Sequence, residues 1–365
     1  MSRPGLRHDL AELTGYHSPQ VDVSVRLNTN ESPYPPPPAF LEAWREEVAA
    51  TPVHRYPDRA AGGLRRGLGG FLSQPAGRLF CANGSNEVLQ TLLLAYGGPG
   101  RSAMVFEPSY VLHAHIANIT GTAVTTAERR DDFTLDAGEA ARMIGRHRPS
   151  VVFLTTPNNP TGTVEPRSAV EAVLEATAAV DGLLVVDEAY ADFAPWSALD
   201  LVADDRSLVV VRTYSKVWSM AAFRLGFCVA PTEVVAHLEK VVLPYHLSVP
   251  TQAAGTVALR FVDEMRARVE AIVAERERVA GALATIDGLT VYPSGANFIL
   301  FRPPARGSGG GPQESGGAVW QGLLDKDVLV RDFSRWPRLE GCLRVTVGLP
   351  SENDAFLTAL KEVLG

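Results

Sequence analysis

Residues 183–190 read Leu-Leu-Val-Val-Asp-Glu-Ala-Tyr, and residues 208–216 read Leu-Val-Val-Val-Arg-Thr-Tyr-Ser-Lys. In both stretches an apolar run of four residues is followed at once by charged and polar residues. A run that is apolar throughout, without alternation, is typical of a strand that is covered on both faces. Further runs of this kind occur at residues 79–82, 103–106, 151–154 and 227–229.

Helical stretches lie between several of these runs. Residues 85–96 and 169–180 have the apolar spacing of helices, and both end near Gly or Asp. Strands that alternate with helices predict a parallel sheet with crossover helices. We therefore expect an α/β fold with a mainly parallel sheet in its larger part.

A second region follows a long amphipathic helix that is predicted over residues 263–286. Residues 297–301, 328–330 and 343–347 read as strands. Ser351 is expected to cap a final helix that ends at Leu364. Strands and helices mixed in this way predict a small α+β domain.

Proline and glycine mark the segments between these regions. Pro33-Tyr34-Pro35-Pro36-Pro37-Pro38 predicts an extended, polyproline-like arm rather than a helix. Residues 302–317 are rich in Gly, Pro and Ser, which favours a mobile surface loop. We expect an N-terminal arm and joining segment over residues 1–57, a large domain over 58–262 and a small domain over 263–365.

The composition excludes several classes of function. The chain has 365 residues and a formal net charge of -7 at pH 7. That length predicts one large and one smaller domain. Nucleic acid is not an expected partner, because phosphate backbones are bound by clustered Lys and Arg. Basic pairs such as Arg129-Arg130 are isolated and are interpreted as solvated surface.

Cysteine and histidine usage bears on location and metal binding. The three cysteines are far apart and lie in apolar stretches, which favours a reducing cytoplasm. Residues 1–16 contain no apolar core of a signal peptide, and no apolar run approaches the length of a membrane span. His113 and His115 have no carboxylate or cysteine cluster beside them. We expect a cytoplasmic protein with no membrane partner and no metal.

Polar residues follow the predicted strands at the edge where open parallel sheets bind ligands. After the first run, Gly84-Ser85-Asn86 opens a helix, and the N–H groups of such a turn suit an anion. A plain helix cap would look the same. Asn158 and Asn159 follow a later run between prolines, and the Asn158 side chain could simply bond its own backbone.

Two further runs end in ionisable residues. Asp187 ends a buried run, where a carboxylate is costly unless a cation faces it. A structural ion pair would explain it equally well. Lys216 lies beside Ser215, with Arg224 eight residues further on. A nucleophilic lysine must be partly deprotonated, which sheltered cationic surroundings promote.

Together these features match the needs of pyridoxal phosphate. That cofactor requires a lysine for its aldehyde, an acid for its pyridine nitrogen, donors for its phenolate oxygen and an anion site for its phosphate. Over residues 27–364 the sequence resembles the fold-type I pyridoxal-phosphate-dependent aminotransferases, and within that group the histidinol-phosphate aminotransferases. The resemblance rests on Asn28-Thr29-Asn30-Glu31, Arg55-Tyr56-Pro57-Asp58, residues 157–162 and 187–190, Ser215-Lys216, Pro244-Tyr245 with Leu247-Ser248, and residues 343–348.

The resemblance implies a seven-stranded, mainly parallel sheet and a role for each matching residue. Lys216 would form the Schiff base with the cofactor and carry a proton, while Asp187 pairs with the pyridinium nitrogen. Asn159 and Tyr190 would bond the phenolate oxygen. The other implied cofactor contacts are Tyr110, which stacks on the ring, and the phosphate ligands Gly84, Ser85, Asn86, Thr213, Ser215 and Arg224.

The resemblance also implies partners. Tyr56 would reach the cofactor phosphate of a neighbouring subunit, which requires a homodimer with shared active sites. Arg344, helped by Arg331, would bind the substrate anion, because a forked guanidinium suits carboxylate and phosphate alike. Asn30 and Tyr34 complete the implied substrate contacts. The implied reaction is a ping-pong transamination between histidinol phosphate and 2-oxoglutarate, a step of histidine biosynthesis.

Some positions differ from the usual pattern of that group, near where substrate should enter. Pro35-Pro36-Pro37-Pro38 stands where glycine and serine are usual, His246 stands where asparagine is usual, and residues 218–223 also differ. Two alternatives therefore stay open. They are an aminotransferase for aromatic or other α-amino acids (including a paralogue from secondary metabolism) and a decarboxylase of a phosphorylated amino acid on the same scaffold. A regulator that binds pyridoxal phosphate as a sensor is not expected, because it would need an attached DNA-binding domain and residues 1–27 are too few for one.

Overall fold

The structure is a computed structural model that describes residues 3–11, 13–15, 19–304 and 311–365. In these ranges the strands are β1 (Val25–Leu27), β2 (Leu79–Asn83), β3 (Ser102–Glu107), β4 (Ala123–Glu128), β5 (Val151–Thr155), β6 (Leu183–Asp187), β7 (Leu208–Thr213), β8 (Leu225–Val229), β9 (Thr290–Val291), β10 (Phe298–Arg302), β11 (Val328–Asp332) and β12 (Leu343–Thr346). The α-helices are α1 (Pro38–Ala49), α2 (Gly62–Leu72), α3 (Gly84–Tyr96), α4 (Leu112–Ile119), α5 (Ala137–His147), α6 (Arg167–Ala178), α7 (Thr232–Val241), α8 (Val249–Ala258), α9 (Val262–Ala284), α10 (Pro312–Leu324) and α11 (Pro350–Leu364).

The larger sheet has seven strands in the order β2-β8-β7-β6-β5-β3-β4. Only β8 runs antiparallel to its neighbours. Alternate residues of each strand enter separate apolar cores, with Val152 and Leu154 on one face and Val151 and Phe153 on the other. Burial on both faces explains why the strands inside this sheet are continuously apolar, whereas the edge strand β4 is largely exposed and contains Thr and Glu. The predicted α/β fold with a mainly parallel seven-stranded sheet is confirmed.

The smaller sheet has the order β1-β11-β12-β10-β9. Strand β1 pairs in parallel with β11, with Val25 opposite Val328, while the other pairs are antiparallel. Residues of α9, α10 and α11 share an apolar core with this sheet. The pairing of β1 with β11 ties the N-terminal segment to the C-terminal sheet. The domain boundaries themselves stay a prediction.

Three local predictions were wrong. The extended arm ends at Pro37, because Pro38 opens α1; proline is tolerated in a first helical turn, where its missing N–H has no partner to lose. Helix α11 begins at Pro350 rather than after a Ser351 cap. Helix α10 takes up residues 312–317 of the predicted loop. The part of that loop at residues 305–310 lies outside the described residues.

Arg129 is buried, which corrects its interpretation as a surface residue. It is 2% exposed and forms an ion pair with the equally buried Glu165. It also donates to the carbonyl oxygens of Phe106 and Phe133, at 3.2 and 3.1 Å. Its neighbour Arg130 lies at the surface and pairs with Asp136. Buried charges require such partners, and sequence alone did not place Glu165 beside Arg129.

The cysteines are unpaired thiols inside the protein. Cys81, Cys228 and Cys342 are all buried. Burial raises the pKa of Cys81 to about 12, so this thiol stays protonated and unreactive near neutral pH. Among the described helices, none combines the length and the apolar character that crossing a bilayer requires.

Candidate active site

A cavity of about 240 Å³ lies where the carboxyl ends of the large sheet face the small sheet. It brings together residues from the N-terminal segment, from the carboxyl ends of β2, β3, β5, β6 and β7, from Arg224 just before β8, and from β11, β12 and the loop between them. The predicted site residues that line it are Asn30, Ser85, Asn86, Tyr110, Asn159, Asp187, Tyr190, Thr213, Ser215, Lys216, Arg224, Arg331 and Arg344.

The turn from β2 into α3 forms an anion cradle. Gly84 has φ +79°, and a Cβ there would lie 2.7 Å from the Arg224 guanidinium. A Cβ on Gly226 of β8 would lie 2.2 Å from the Ser85 nitrogen. Glycine at both positions lets the turn lie directly against β8. Ser85 and Asn86 then present the free N–H groups and positive dipole end of α3 to the cavity, which suits a phosphate.

Hydroxyls and a guanidinium complete this cradle. Thr213 Oγ1, at the end of β7, donates to Ser215 Oγ at 3.0 Å. Arg224 Nη1 donates to the same oxygen at 3.4 Å. Both hydroxyls are buried, whereas Arg224 is exposed at the cavity mouth. A helix N-terminus, two hydroxyls and a guanidinium fit a phosphate group that carries two charges.

Lys216 projects into the cavity just after β7. Its Nζ donates to the Thr29 carbonyl oxygen at 3.0 Å and lies 5.8 Å from the ring centroid of Tyr190. Burial, followed by the positive charge of Arg344 and a smaller contribution from Arg224, lowers the pKa of Lys216 to about 8, while the negative charge of Glu31 opposes this shift. An amine with this pKa is partly neutral near neutral pH, as a nucleophile or a general base must be.

Lys216 differs from the other lysines of the chain in its burial. The sequence contains only four, and the remaining ones are Lys240, Lys326 and Lys361. All three of these are exposed, and Lys326 pairs with Glu362. Lys216 is therefore the lysine whose surroundings make the amine reactive.

Asp187 ends β6 and is 2% exposed. Its Oδ2 lies 3.0 Å from His113 Nε2, and its Oδ1 accepts the Ala189 N–H at 3.1 Å. The His113 ring is itself buried and stacks on Phe153 with centroids 4.7 Å apart. Two partners on one side hold the carboxylate in place at the cavity wall, where it can accept an N–H from a ring nitrogen.

The sequence did not predict a role for His113. The histidine was considered only with His115 as a possible metal pair, yet it lies against Asp187. A signal was present, because His113 follows Tyr110 by three residues, and the turn before α4, in which the His113 N–H donates to the Tyr110 carbonyl oxygen at 3.0 Å, brings the two side chains together. Their rings are indeed in edge-to-face contact at 5.4 Å. Among the described residues, no group of His, Cys, Asp and Glu is arranged to hold a metal ion.

Two arginines lie side by side on the small sheet. Arg331 and Arg344 are direct partners in the antiparallel register of β11 and β12. The Arg344 guanidinium lies 4.9 Å from the ring centroid of Phe298 and 5.3 Å from that of Phe333, and Arg331 lies 5.8 Å from Phe333. Arg344 also donates to Asn159 Oδ1. Aromatic faces thus flank both cations at the cavity.

Asn30 links the two sheets. It has φ 56° and is almost fully buried. Its Nδ2 donates to Tyr190 Oη at 3.0 Å, while its N–H donates to Thr346 Oγ1 at 2.9 Å. Asn159 Nδ2 is a more distant donor to the same Tyr190 oxygen, at 3.5 Å. Asn30 was predicted to bind substrate, and in the structure its amide contacts Tyr190 and Thr346.

Two predicted residues lie away from the cavity. Tyr56 is 79% exposed and stacks on Tyr245 with centroids 4.4 Å apart. Tyr34 packs against the apolar core of the large sheet. Conversely, Phe333 and Trp336 line the cavity and were not predicted. They belong to an irregular loop, where no periodic pattern marks the side chains that face inward.

Comparisons with known proteins agree with this geometry. The family model "Aminotransferase class I and II" matches residues 23–360. The histidinol-phosphate aminotransferase of Frankia casuarinae is 47% identical over 98% of this chain and 90% of its own length. That of Mycolicibacterium smegmatis is 44% identical over 99% and 93%. The crystal structure of histidinol-phosphate aminotransferase from Sinorhizobium meliloti in complex with pyridoxal-5'-phosphate has a TM-score of 0.83, with 25% identity over 94% of this chain and 91% of that one.

Proposed function

The chain belongs to the class I and II aminotransferase family, and we propose that it transfers the amino group of histidinol phosphate to 2-oxoglutarate with pyridoxal phosphate as its cofactor. The observation that carries the proposal is the single cavity that Lys216, Asp187, Arg331 and Arg344 share. The full-length likeness to the relatives from Frankia casuarinae and Mycolicibacterium smegmatis supports the choice of donor.

The residues present fit the cofactor. When bound, pyridoxal phosphate supplies an aldehyde that takes up the amino group and a ring that spreads the charge left by a broken Cα–H bond. The glycine-lined turn at Gly84 is shaped for an anion, and Asp187 is a buried carboxylate at the wall. The residues that would hold the cofactor are Lys216, Asp187, Asn159, Tyr190, Tyr110, and, at the phosphate, Gly84, Ser85, Asn86, Thr213, Ser215 and Arg224.

Lys216 is suited to move the substrate proton. Its pKa of about 8 leaves part of the amine neutral near neutral pH and able to accept the proton from the substrate Cα. Once protonated, the same amine could donate that proton to a carbon atom of the cofactor. Its partly buried position limits competing proton exchange with water.

Arg331 and Arg344 suit both substrates. Histidinol phosphate carries a phosphate, and 2-oxoglutarate carries two carboxylates. A guanidinium binds either group through two parallel N–H donors. Two cations that lie side by side in one register can therefore serve both half-reactions in the same place.

The proposal includes a homodimer in which Tyr56 completes the partner's site. Tyr56 and Tyr245 form an exposed aromatic pair, and Val53 and Leu243 beside them in sequence are 78% and 76% exposed. Exposed apolar side chains that cluster are typical of interaction surfaces. Tyr56→Phe should speed the loss of cofactor during dialysis while the dimer stays intact. A fully active monomer would rule this part out. The cytoplasmic location stays a prediction.

The reaction is tested by the absorption spectrum of purified, cofactor-loaded protein. Histidinol phosphate, glutamate and phenylalanine are added singly, and the band of the lysine-bound cofactor is followed. The proposal expects the band to disappear with histidinol phosphate and with glutamate, but not with phenylalanine. If glutamate removes the band and histidinol phosphate does not, the transamination stands and the proposed donor is wrong.

A further inference from the structure

The loop between β11 and β12, residues 333–342, supplies two aromatic side chains to the cavity wall. Phe333 and Trp336 both line the cavity. Their rings meet edge to face, with centroids 5.0 Å apart and planes at 75°. The wall therefore combines an aromatic surface with Arg331 and Arg344, whose guanidiniums lie over the Phe333 ring.

The loop is held by its own backbone. Phe333 N–H donates to the Cys342 carbonyl oxygen at 3.1 Å, and Trp336 N–H donates to that of Phe333 at 2.9 Å. Arg338 forms ion pairs with Glu128 and Asp131 across the cleft, at 3.2 and 3.3 Å. These bonds hold the loop, and the edge-to-face contact with Phe333 supports the indole, which lowers the entropy cost of a ligand contact with it.

The two aromatic residues have different surroundings. Phe333 is 5% exposed and packs against Phe133, Leu300 and Leu339. Its ring supports the two guanidiniums and the apolar cluster beneath them. Trp336 is more exposed and sits at the margin of that cluster, with its side chain on the cavity. Of the pair, Trp336 has the ring surface that a ligand can reach.

Resting on the proposed function, we propose that Trp336 is a specificity-determining residue that contacts the flat aromatic ring of the amino donor. The arginines beside it hold the anionic group of the same molecule. Histidinol phosphate carries both an anion and an imidazole ring, whereas glutamate carries two carboxylates and no ring. Both substrates use Arg331 and Arg344, but only the donor uses the indole. An aromatic contact of this kind changes affinity by about tenfold.

The two half-reactions separate this role from a structural one. Trp336→Ala and Trp336→Phe are loaded with cofactor, and each is mixed in a stopped-flow instrument with histidinol phosphate or with glutamate. Trp336→Ala should slow the histidinol phosphate half-reaction by about tenfold and the glutamate half-reaction by no more than about twofold. Trp336→Phe should recover most of the loss. Arg335→Ala, an exposed neighbour on the same loop, is the matched control.

Equal losses in both half-reactions, or an unchanged histidinol phosphate half-reaction, would overturn the inference. Should Trp336→Ala not fold, Trp336→Leu takes its place, because leucine keeps an apolar side chain and removes only the ring. A wild-type protein that reacts with glutamate and not with histidinol phosphate refutes the proposed donor instead. In that case phenylalanine serves as the ring-bearing donor. Trp336→Ala must then slow the phenylalanine half-reaction more than the glutamate half-reaction, and equal losses would overturn the inference.

Discussion

The cavity has two halves that are assembled differently. The cofactor half consists of strand ends in one sheet, with Asp187 at the end of β6 and Thr213 and Lys216 at and after the end of β7. The substrate half takes Arg331 and Arg344 from the small sheet, together with the segment around Asn30. The difference teaches that the chemistry is contained in one sheet, whereas substrate recognition depends on how the two sheets meet.

The halves are nevertheless coupled through charge. Burial is the main cause of the lowered pKa of Lys216, and the next is the positive charge of Arg344. Arg344, the proposed substrate-binding residue of the small sheet, thus helps to keep the lysine of the large sheet neutral. When a substrate anion neutralises Arg344, the lysine should become more basic at the moment when it must accept a proton.

The largest effect is expected from a change in the cofactor half alone. Lys216→Ala should lower turnover by more than about 10⁴-fold, because no other amine can take over the proton transfer. Asp187, Arg224 and the cradle should still hold the cofactor without a covalent bond. Turnover and cofactor absorbance after gel filtration measure both effects, with the exposed Lys240→Ala as control. Near-normal turnover in Lys216→Ala would contradict the role of this residue.

A smaller effect is expected from the substrate half. Arg344→Lys keeps the charge and loses the forked donors, so kcat/KM for both substrates should fall by roughly 10- to 150-fold, about 1.5–3 kcal/mol. Arg331→Lys tests the neighbouring guanidinium in the same way, because Arg331 lies opposite Arg344 in the register of β11 and β12. Half-reaction kinetics with glutamate and histidinol phosphate measure both variants. Unchanged kinetics in Arg344→Lys would show that the anion binds elsewhere.

The smallest effect concerns the coupling between the halves. A pKa of about 8 for Lys216, against the usual 10.5, means that cofactor capture by the cofactor-free protein should speed up with pH to about 8 and then level off. Arg344→Gln removes a positive charge and should move this midpoint upward. Between about pH 8 and about pH 10.5 Lys216 holds a proton in the unfolded chain that it has lost in the folded protein, so the free energy of unfolding should rise with pH over this range.

The measurement is the rate of cofactor uptake, followed by absorbance between pH 6 and about 10. Lys240→Ala is the control and should leave the midpoint unchanged. A rate that keeps rising toward pH 10 in the wild-type protein would mean that Lys216 is not shifted. If Arg344→Gln and the wild-type protein have the same midpoint in the pH dependence of cofactor uptake, the charge of Arg344 does not influence the pKa of Lys216.

Much of the cofactor half could be predicted from the sequence, because the Gly84 turn, Asp187 and Lys216 each lie just after an apolar run. The role of Tyr110 came only through the family resemblance. The runs fix the strands, parallel strands end at the same edge, and Asp187 and Lys216 must therefore lie near each other. The same reasoning could not supply His113, which lies 74 residues before Asp187 and reaches it only through the strand order of the sheet. Contacts of that kind depend on topology rather than on local pattern.

The substrate half was predicted only through family resemblance. No local pattern links Arg331 and Arg344 to the large sheet, and Trp336 stands in a loop without periodicity. Arg129 was misread for a related reason, since its partner Glu165 is distant in sequence. Helix α1 was missed because prolines dominate the segment before it, although Pro38 is compatible with a first turn.

Reduction with borohydride followed by peptide mapping identifies the lysine that carries the cofactor. The reagent makes the reversible bond between an amine and the cofactor aldehyde permanent, so that the labelled peptide can be sequenced by mass spectrometry. The label is expected on Lys216 and to be lost in Lys216→Ala. A label on Lys240, Lys326 or Lys361, or undiminished labelling in the variant, would contradict the assignment of the active site.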